Sequence, residues 1–129
     1  MKNQTFKKKE RLRLKGNFSN VFEKGGRLLN NYLVIIYFQN GLQYNRIGII
    51  VPKKFGNAVV RNKFKRYMRE IYRKNKESFQ NGFDYIFIPR KFLSKEFKRI
   101  SYRKFESILL EMVRNLKNEE ISFKNDKFL

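Results

Sequence analysis

Arg61, Lys65, Arg69 and Arg73 recur every fourth residue within "FGNAVVRNKFKRYMREIYR", residues 55–73. On a helix this spacing stacks the four cations along one side. Arg66 widens the row, and Lys53 and Lys54 add charge just ahead of the helix start, where the helix dipole is also positive. Like charges four residues apart cost a few tenths of a kcal/mol per pair. Glu70 is the single acid among them, whereas a face kept only for solvation would interleave Glu with Lys. Four of these five row cations are Arg, whose planar fork suits bidentate phosphate contacts and stacking on bases. The chemistry that this pattern serves is the binding of a line of phosphates. With about 6–10 phosphate contacts, affinity would fall by about 10³–10⁵ between about 50 and 200 mM salt.

Hydrolysis of a phosphodiester by the chain itself lacks its usual groups. The reaction needs a general base such as His, or a metal held by clustered carboxylates. The chain has no His, and Glu23, Glu70, Glu77, Asp84, Glu96, Glu106 and Glu111 are scattered, with no D-x-D or E-x-x-x-D pair on one element. No catalytic residue and no metal site are expected. With no Cys, neither a disulfide framework nor a thiolate site is possible.

The whole chain must then position a basic face. It has 129 residues, enough for one domain with one core. Its 31 Lys and Arg against 11 Asp and Glu give a formal charge of +20, which makes a compact fold repel itself and points to an anionic partner. A hydrophobic content of 41%, with 14 Phe and 7 Tyr, separates it from a disordered basic tail. The longest apolar run, Tyr32 to Phe38, is too short to cross a bilayer. No apolar segment follows the basic N-terminus, so a secretory signal is not expected and the chain reads as cytoplasmic.

Residues 1–15 carry seven basic residues and read as a flexible or loosely packed arm. A short helix is predicted from about Asn17, its candidate N-cap, to Lys24, stopped by Gly25-Gly26, with Phe18, Val21 and Phe22 on one stripe. "NYLVIIYF" and "RIGIIVP" read as strands flanking a turn at Asn40-Gly41, and are expected to pair antiparallel. Gly48 in the second marks a bulge or a close approach. The basic helix runs from about Ala58 to Lys76, with Val60, Phe64, Tyr67, Met68 and Ile71 as its apolar stripe. "FDYIFIP" is a further strand, and a last helix covers about Ser101 to Leu116 through Phe105, Ile108, Leu109, Met112, Val113 and Leu116. The polar tail, 118–129, reads as loose. The fold class is α+β, a single-domain α-β sandwich in the order α-β-β-α-β-α, with room for a further short strand near the N-terminus or after Pro89.

The run from Lys53 to Arg66, "KKFGNAVVRNKFKR", closely resembles the K-K-x-G-x-A-V-x-R-N-(R/K)-x-K-R signature of the bacterial ribonuclease P protein subunit. "FSNVF", "RIGIIV" and "DYIFIPR" are similar to further segments of that family, and the resemblance covers roughly residues 6 to 117. Lys63 stands where the family usually has a third Arg, so the charge survives without the fork. Pro52 replaces the usual Ser, and Ile36 sits where some members carry an aromatic residue.

The resemblance implies a sandwich with a left-handed β-α-β crossover, against the usual hand. It implies a protein that binds a catalytic RNA and the 5′ leader of precursor tRNA, promoting endonucleolytic removal of that leader. It places the catalytic centre, and the Mg²⁺ it uses, in the RNA. One protein per RNA, and a protein that is monomeric alone, are expected. Carried over, Arg61, Asn62, Lys63, Lys65, Arg66, Arg69 and Arg73 face the catalytic RNA, while Phe18, Phe22, Ile36, Lys53 and Lys54 belong to a leader-binding cleft. By residue type alone, Phe18 and Phe22 read as core, and Asn62 reads equally as a solvent-facing residue. A non-enzymatic RNA-binding protein of ribosomal or chaperone type would explain the charge and fold as well. An anionic-membrane binder fits less well, since the apolar stripe of the basic helix is needed for the core.

Overall fold

The computed structural model of the protein describes residues 6–13 and 15–126, the side chains of 15, 17 and 117–126 excepted. Its elements are α1 (Lys15–Lys24), β1 (Gly26–Leu29), β2 (Leu33–Gln39), β3 (Arg46–Ile49), α2 (Ala58–Lys74), β4 (Phe83–Pro89), α3 (Lys91–Glu96) and α4 (Tyr102–Asp126). One four-stranded sheet has the order β1-β2-β4-β3. The class is α+β, as expected, with two more elements than the sequence pattern resolves. β1 supplies the further short strand near the N-terminus, and α3 fills the stretch after Pro89.

The expected antiparallel pairing of β2 with β3 does not occur. β4 lies between them, antiparallel to β2 and parallel to β3. The reason is burial on both faces. Along β4, Phe83, Tyr85 and Phe87 point to one side and Ile86 and Ile88 to the other. A strand apolar on both sides belongs in the middle of a covered sheet. The four-residue β3 takes an edge instead. Asp84 ties β4 to both flanks, accepting hydrogen bonds from Arg46 of β3 at 2.7 and 2.8 Å and from Asn40, just past β2, at 2.9 Å.

The sheet separates two apolar clusters. On one face, Leu33, Ile35, Ile47, Tyr85 and Phe87 pack with Phe64, Met68, Ile71 and Tyr72 of α2 and Phe105, Leu109, Met112, Val113 and Leu116 of α4. The predicted stripes of both helices are therefore used, except that Ile108 is half-exposed outside the cluster, and Tyr72 joins them. Burying each such side chain stabilises the fold by about 1.5–3 kcal/mol. On the other face α1 lays Val21 over Ile36 and Ile86, with Phe18 and Phe22 partly buried beside them. Helix α1 begins at Lys15 rather than Asn17, and the side chain of the expected cap lies outside the described residues. Backbone of α4 continues past the expected end at Leu116 to Asp126, through most of the tail read as loose.

The second half of the N-terminal arm is docked, contrary to the flexible reading; residues 1–5 and 14 lie outside the described residues. A 3-10 turn at Lys8–Glu10 leads to Leu12, whose amide donates to Ile47 O at 2.9 Å on the free edge of β3. Leu12 is buried, and Arg11 and Arg13 on either side of it are exposed. "RLRL" is a period-2 pattern, and within its described part Leu12 points inward and seats the segment.

Candidate nucleic-acid interface

Helix α2 starts where its sequence says it should. Asn57 caps it, accepting the Val60 amide at 3.0 Å. Arg61 folds back on the cap, its Nε donating to Gly56 O at 3.1 Å. Asn62, Arg66 and Arg69 are exposed, and Lys65 is half-buried. Two members of the expected face are engaged elsewhere. Arg73 forms a bidentate pair with Glu70 at 3.1 and 2.8 Å, a solvent-accessible pair with which a phosphate would compete. The Lys63 ammonium lies over the Tyr67 and Phe97 rings, 5.4 and 5.5 Å from their centroids. A point charge sits there against the aromatic edge of the core without needing a planar fork. Among the described residues, no ion pair involves Arg61, Lys65, Arg66 or Arg69. These four, with Asn62, make the open part of the face.

A second surface forms on the opposite side of the sheet. Gly48 pairs with Ile86, which lies beside Ile36. The Phe18 ring rests on Gly48, so that a Cβ there would stand 2.7 Å from the ring tip. Gly48 thus marks a close approach, one of the two readings open from the sequence. Ile36 is fully buried, so it lies in the floor under α1 and presents no surface to a ligand. The half-exposed floor lies one row further, where Val34 pairs with Ile88 and Ile50 hydrogen-bonds to β4 beside them. Phe18 and Phe22 form the wall over this floor, partly exposed.

Lys53 and Lys54 are exposed on a 3-10 turn, Lys53–Phe55, beyond the β3 end of the floor. The turn is tied to α3 by Ser94 Oγ, which donates to Phe55 O at 2.8 Å. Lys54, Arg90, Lys91 and Lys95 then line one hollow of about 200 Å³. At the β1 side, Arg27 donates to Phe22 O at 3.3 Å and lies over the Phe22 ring. Arg27, Arg90, Lys91 and Lys95 were not singled out from sequence. Arg90, Lys91 and Lys95 are near neighbours in the chain, and the tie between α3 and the Lys53–Phe55 turn sets them beside Lys54, while Arg27 stands separately at Phe22.

The carboxylates near these surfaces are committed to structure. Glu10, in the docked arm, accepts from Lys76 Nζ at 2.8 Å, from Tyr72 Oη at 3.0 Å and from the Lys7 amide at 3.0 Å. Burial opposes its ionisation, but these bonds and the Lys76 charge outweigh it and hold the carboxyl below its usual 4.5. Burial, with the Glu10 charge, pushes the Tyr72 hydroxyl far above the ordinary tyrosine range, so it stays a donor. Glu70 is held low mainly by its bond to Arg73. Among the described residues, no three acids gather in a way that could hold a metal ion. No helix there is long and apolar enough to cross a membrane.

A family model described as Ribonuclease P matches residues 6–117. The chain is 64% identical over 116 residues to a ribonuclease P protein component of Petrotoga mobilis, spanning 90% of this chain and 98% of that one. Among solved structures, it is similar to the RNase P protein from Thermotoga maritima, with 45% identity, a TM-score of 0.78, and coverage of 82% of this chain and 96% of that one. The Staphylococcus aureus RNase P protein gives a TM-score of 0.75 at 28% identity, covering 84% and 95%.

Proposed function

The chain belongs to the ribonuclease P protein family, and from that premise we propose that it binds the catalytic RNA through α2 and the 5′ leader of precursor tRNA through the Phe18–Phe22 cleft. Membership makes it a subunit of an endoribonuclease with an RNA partner. In the proposed reading the RNA and its Mg²⁺ cleave the phosphodiester, one protein serves one RNA in the cytoplasm, and the protein positions the substrate.

One observation carries this reading: the carboxylates near the two surfaces are each tied to a particular cation, while the remaining cations of those surfaces have no ion-pair partner among the described residues. Glu10, Glu70 and Asp84 each neutralise a particular structural cation. Arg61, Lys65, Arg66, Arg69, Lys53 and Lys54 have no such partner among the described residues. Such an arrangement attracts polyanions and supplies no hydrolytic acid–base pair. The half-exposed floor at Val34, Ile88 and Ile50, under Phe18 and Phe22, suits unpaired bases, because stacking on an aromatic is worth about 1–3 kcal/mol per base and tolerates any sequence.

The test compares precursor with mature tRNA. Adding the protein to the catalytic RNA should tighten binding of precursor and leave mature tRNA nearly unchanged. Equal tightening of both would mean that the protein does not hold the leader, and would favour a general RNA-binding role.

A further inference from the structure

The docked segment 6–13 completes a hollow that neither α2 nor the sheet makes alone. Glu10 fixes the segment through three hydrogen bonds, to Lys76, Tyr72 and the Lys7 amide. Leu12 then turns inward along β3, which sends Arg11 and Arg13 outward beside α2. Arg11, Arg13, Lys65 and Arg69 line one open cavity of about 200 Å³, with Phe18 and Gly48 in its wall. Two of these cations come from the N-terminal segment and two from α2. No ion pair involves any of the four among the described residues.

We infer that this cavity is a nucleotide site, which takes one unpaired base against Phe18 and its flanking phosphates on Arg11, Arg13, Lys65 and Arg69, with Glu10 as the residue that positions the two N-terminal arginines. The inference rests on the proposed RNA-binding function. Four like charges converging on a hollow repel one another unless an anion sits among them. The concave shape and the aromatic wall distinguish the site from a flat patch for a duplex backbone. Unpaired RNA bases are the ones that can be splayed out and stacked on aromatic rings or guanidinium planes. The nucleotide could come from the catalytic RNA or from the leader, since α2 and the cleft wall both contribute.

The experiment uses the full chain with Arg11→Ala and Arg13→Ala together, both exposed positions, and a thermal melt to check folding. If the nucleotide belongs to the catalytic RNA, the slope of log affinity against log salt for that RNA alone should fall by about 1.5, from the two lost phosphate contacts. If it belongs to the leader, that slope should stay and the preference for precursor over mature tRNA should drop. A folded variant that changes neither overturns the site. Glu10→Gln should move the same readout with both arginines present, and should add nothing when combined with their removal. A lower melting temperature with the readout unmoved would overturn its positioning role. If the unaltered protein fails to bind the catalytic RNA at all, the proposed function falls rather than this site alone.

Discussion

Gly48→Ala probes the cleft with one added methyl group. The new Cβ would lie 2.7 Å from Cζ and 2.9 Å from Cε1 of Phe18, and 3.4 Å from Leu12 Cβ. Ordinary contact begins at 3.4 Å, so the ring tip must retreat by about 0.7 Å. The atom that must yield is the far end of a partly exposed side chain. The stability cost therefore belongs at the low end for overpacking, about 1 kcal/mol, or about 4 °C in melting temperature. The functional cost should be larger in kind, because Phe18 leaves the position in which it would stack on a leader base. Losing about 1 kcal/mol of a stacking contact weakens precursor binding about fivefold.

The assay titrates reconstituted holoenzyme against labelled precursor and mature tRNA, alongside a thermal melt of the protein. Gly41→Ala is the control. Gly41 has φ of +74° with open space around it, so alanine there strains the backbone, by about 1–2 kcal/mol, far from the cleft. Gly48→Ala should lower the precursor-to-mature preference, and Gly41→Ala should not. If both variants lose stability while the preference is unchanged in each, Phe18 is core only and the leader assignment is wrong.

Three further outcomes follow from the packing. Asp84→Ala strands the Arg46 guanidinium and the Asn40 amide, and should cost about 3 kcal/mol in denaturant unfolding, the lower end for a broken buried pair because Arg46 reaches solvent. Glu10 has a folded pKa below the ordinary 4.5, so its contribution to stability is fully present above that value and is lost as pH falls below it; melting temperature should drop on that acid limb, and Glu10→Gln should flatten the drop. Tyr102→Phe removes a buried hydroxyl that has no hydrogen-bond partner, so it should leave the melting temperature unchanged or raise it.

Local periodicity made much of this molecule legible. The α2 stripe and its cap follow from spacing alone, because a helix buries what recurs at 3.6 residues. Sheet order was not legible, since β4 enters between β2 and β3 from 34 residues beyond β3, and its two-sided apolar pattern marks a central strand without naming its neighbours. The docked arm was hidden for a different reason. Its charge density suggested solvation, while a two-residue alternation and one buried acid decided its place. Within the candidate site, Arg73 and Lys63 fit the charge pattern, and the pattern gives no sign that Arg73 also pairs with Glu70 or that Lys63 lies over the Tyr67 and Phe97 rings. Ile36 matched by position in the chain, and burial under α1 removes it from the surface.

The most direct measurement of the central claim is leader removal by the cognate catalytic RNA at low magnesium, with and without this protein. The account predicts slow or undetectable cleavage by RNA alone and rapid release of the 5′ leader when the protein is added, with no cleavage by the protein alone. Equal rates with and without protein would contradict it.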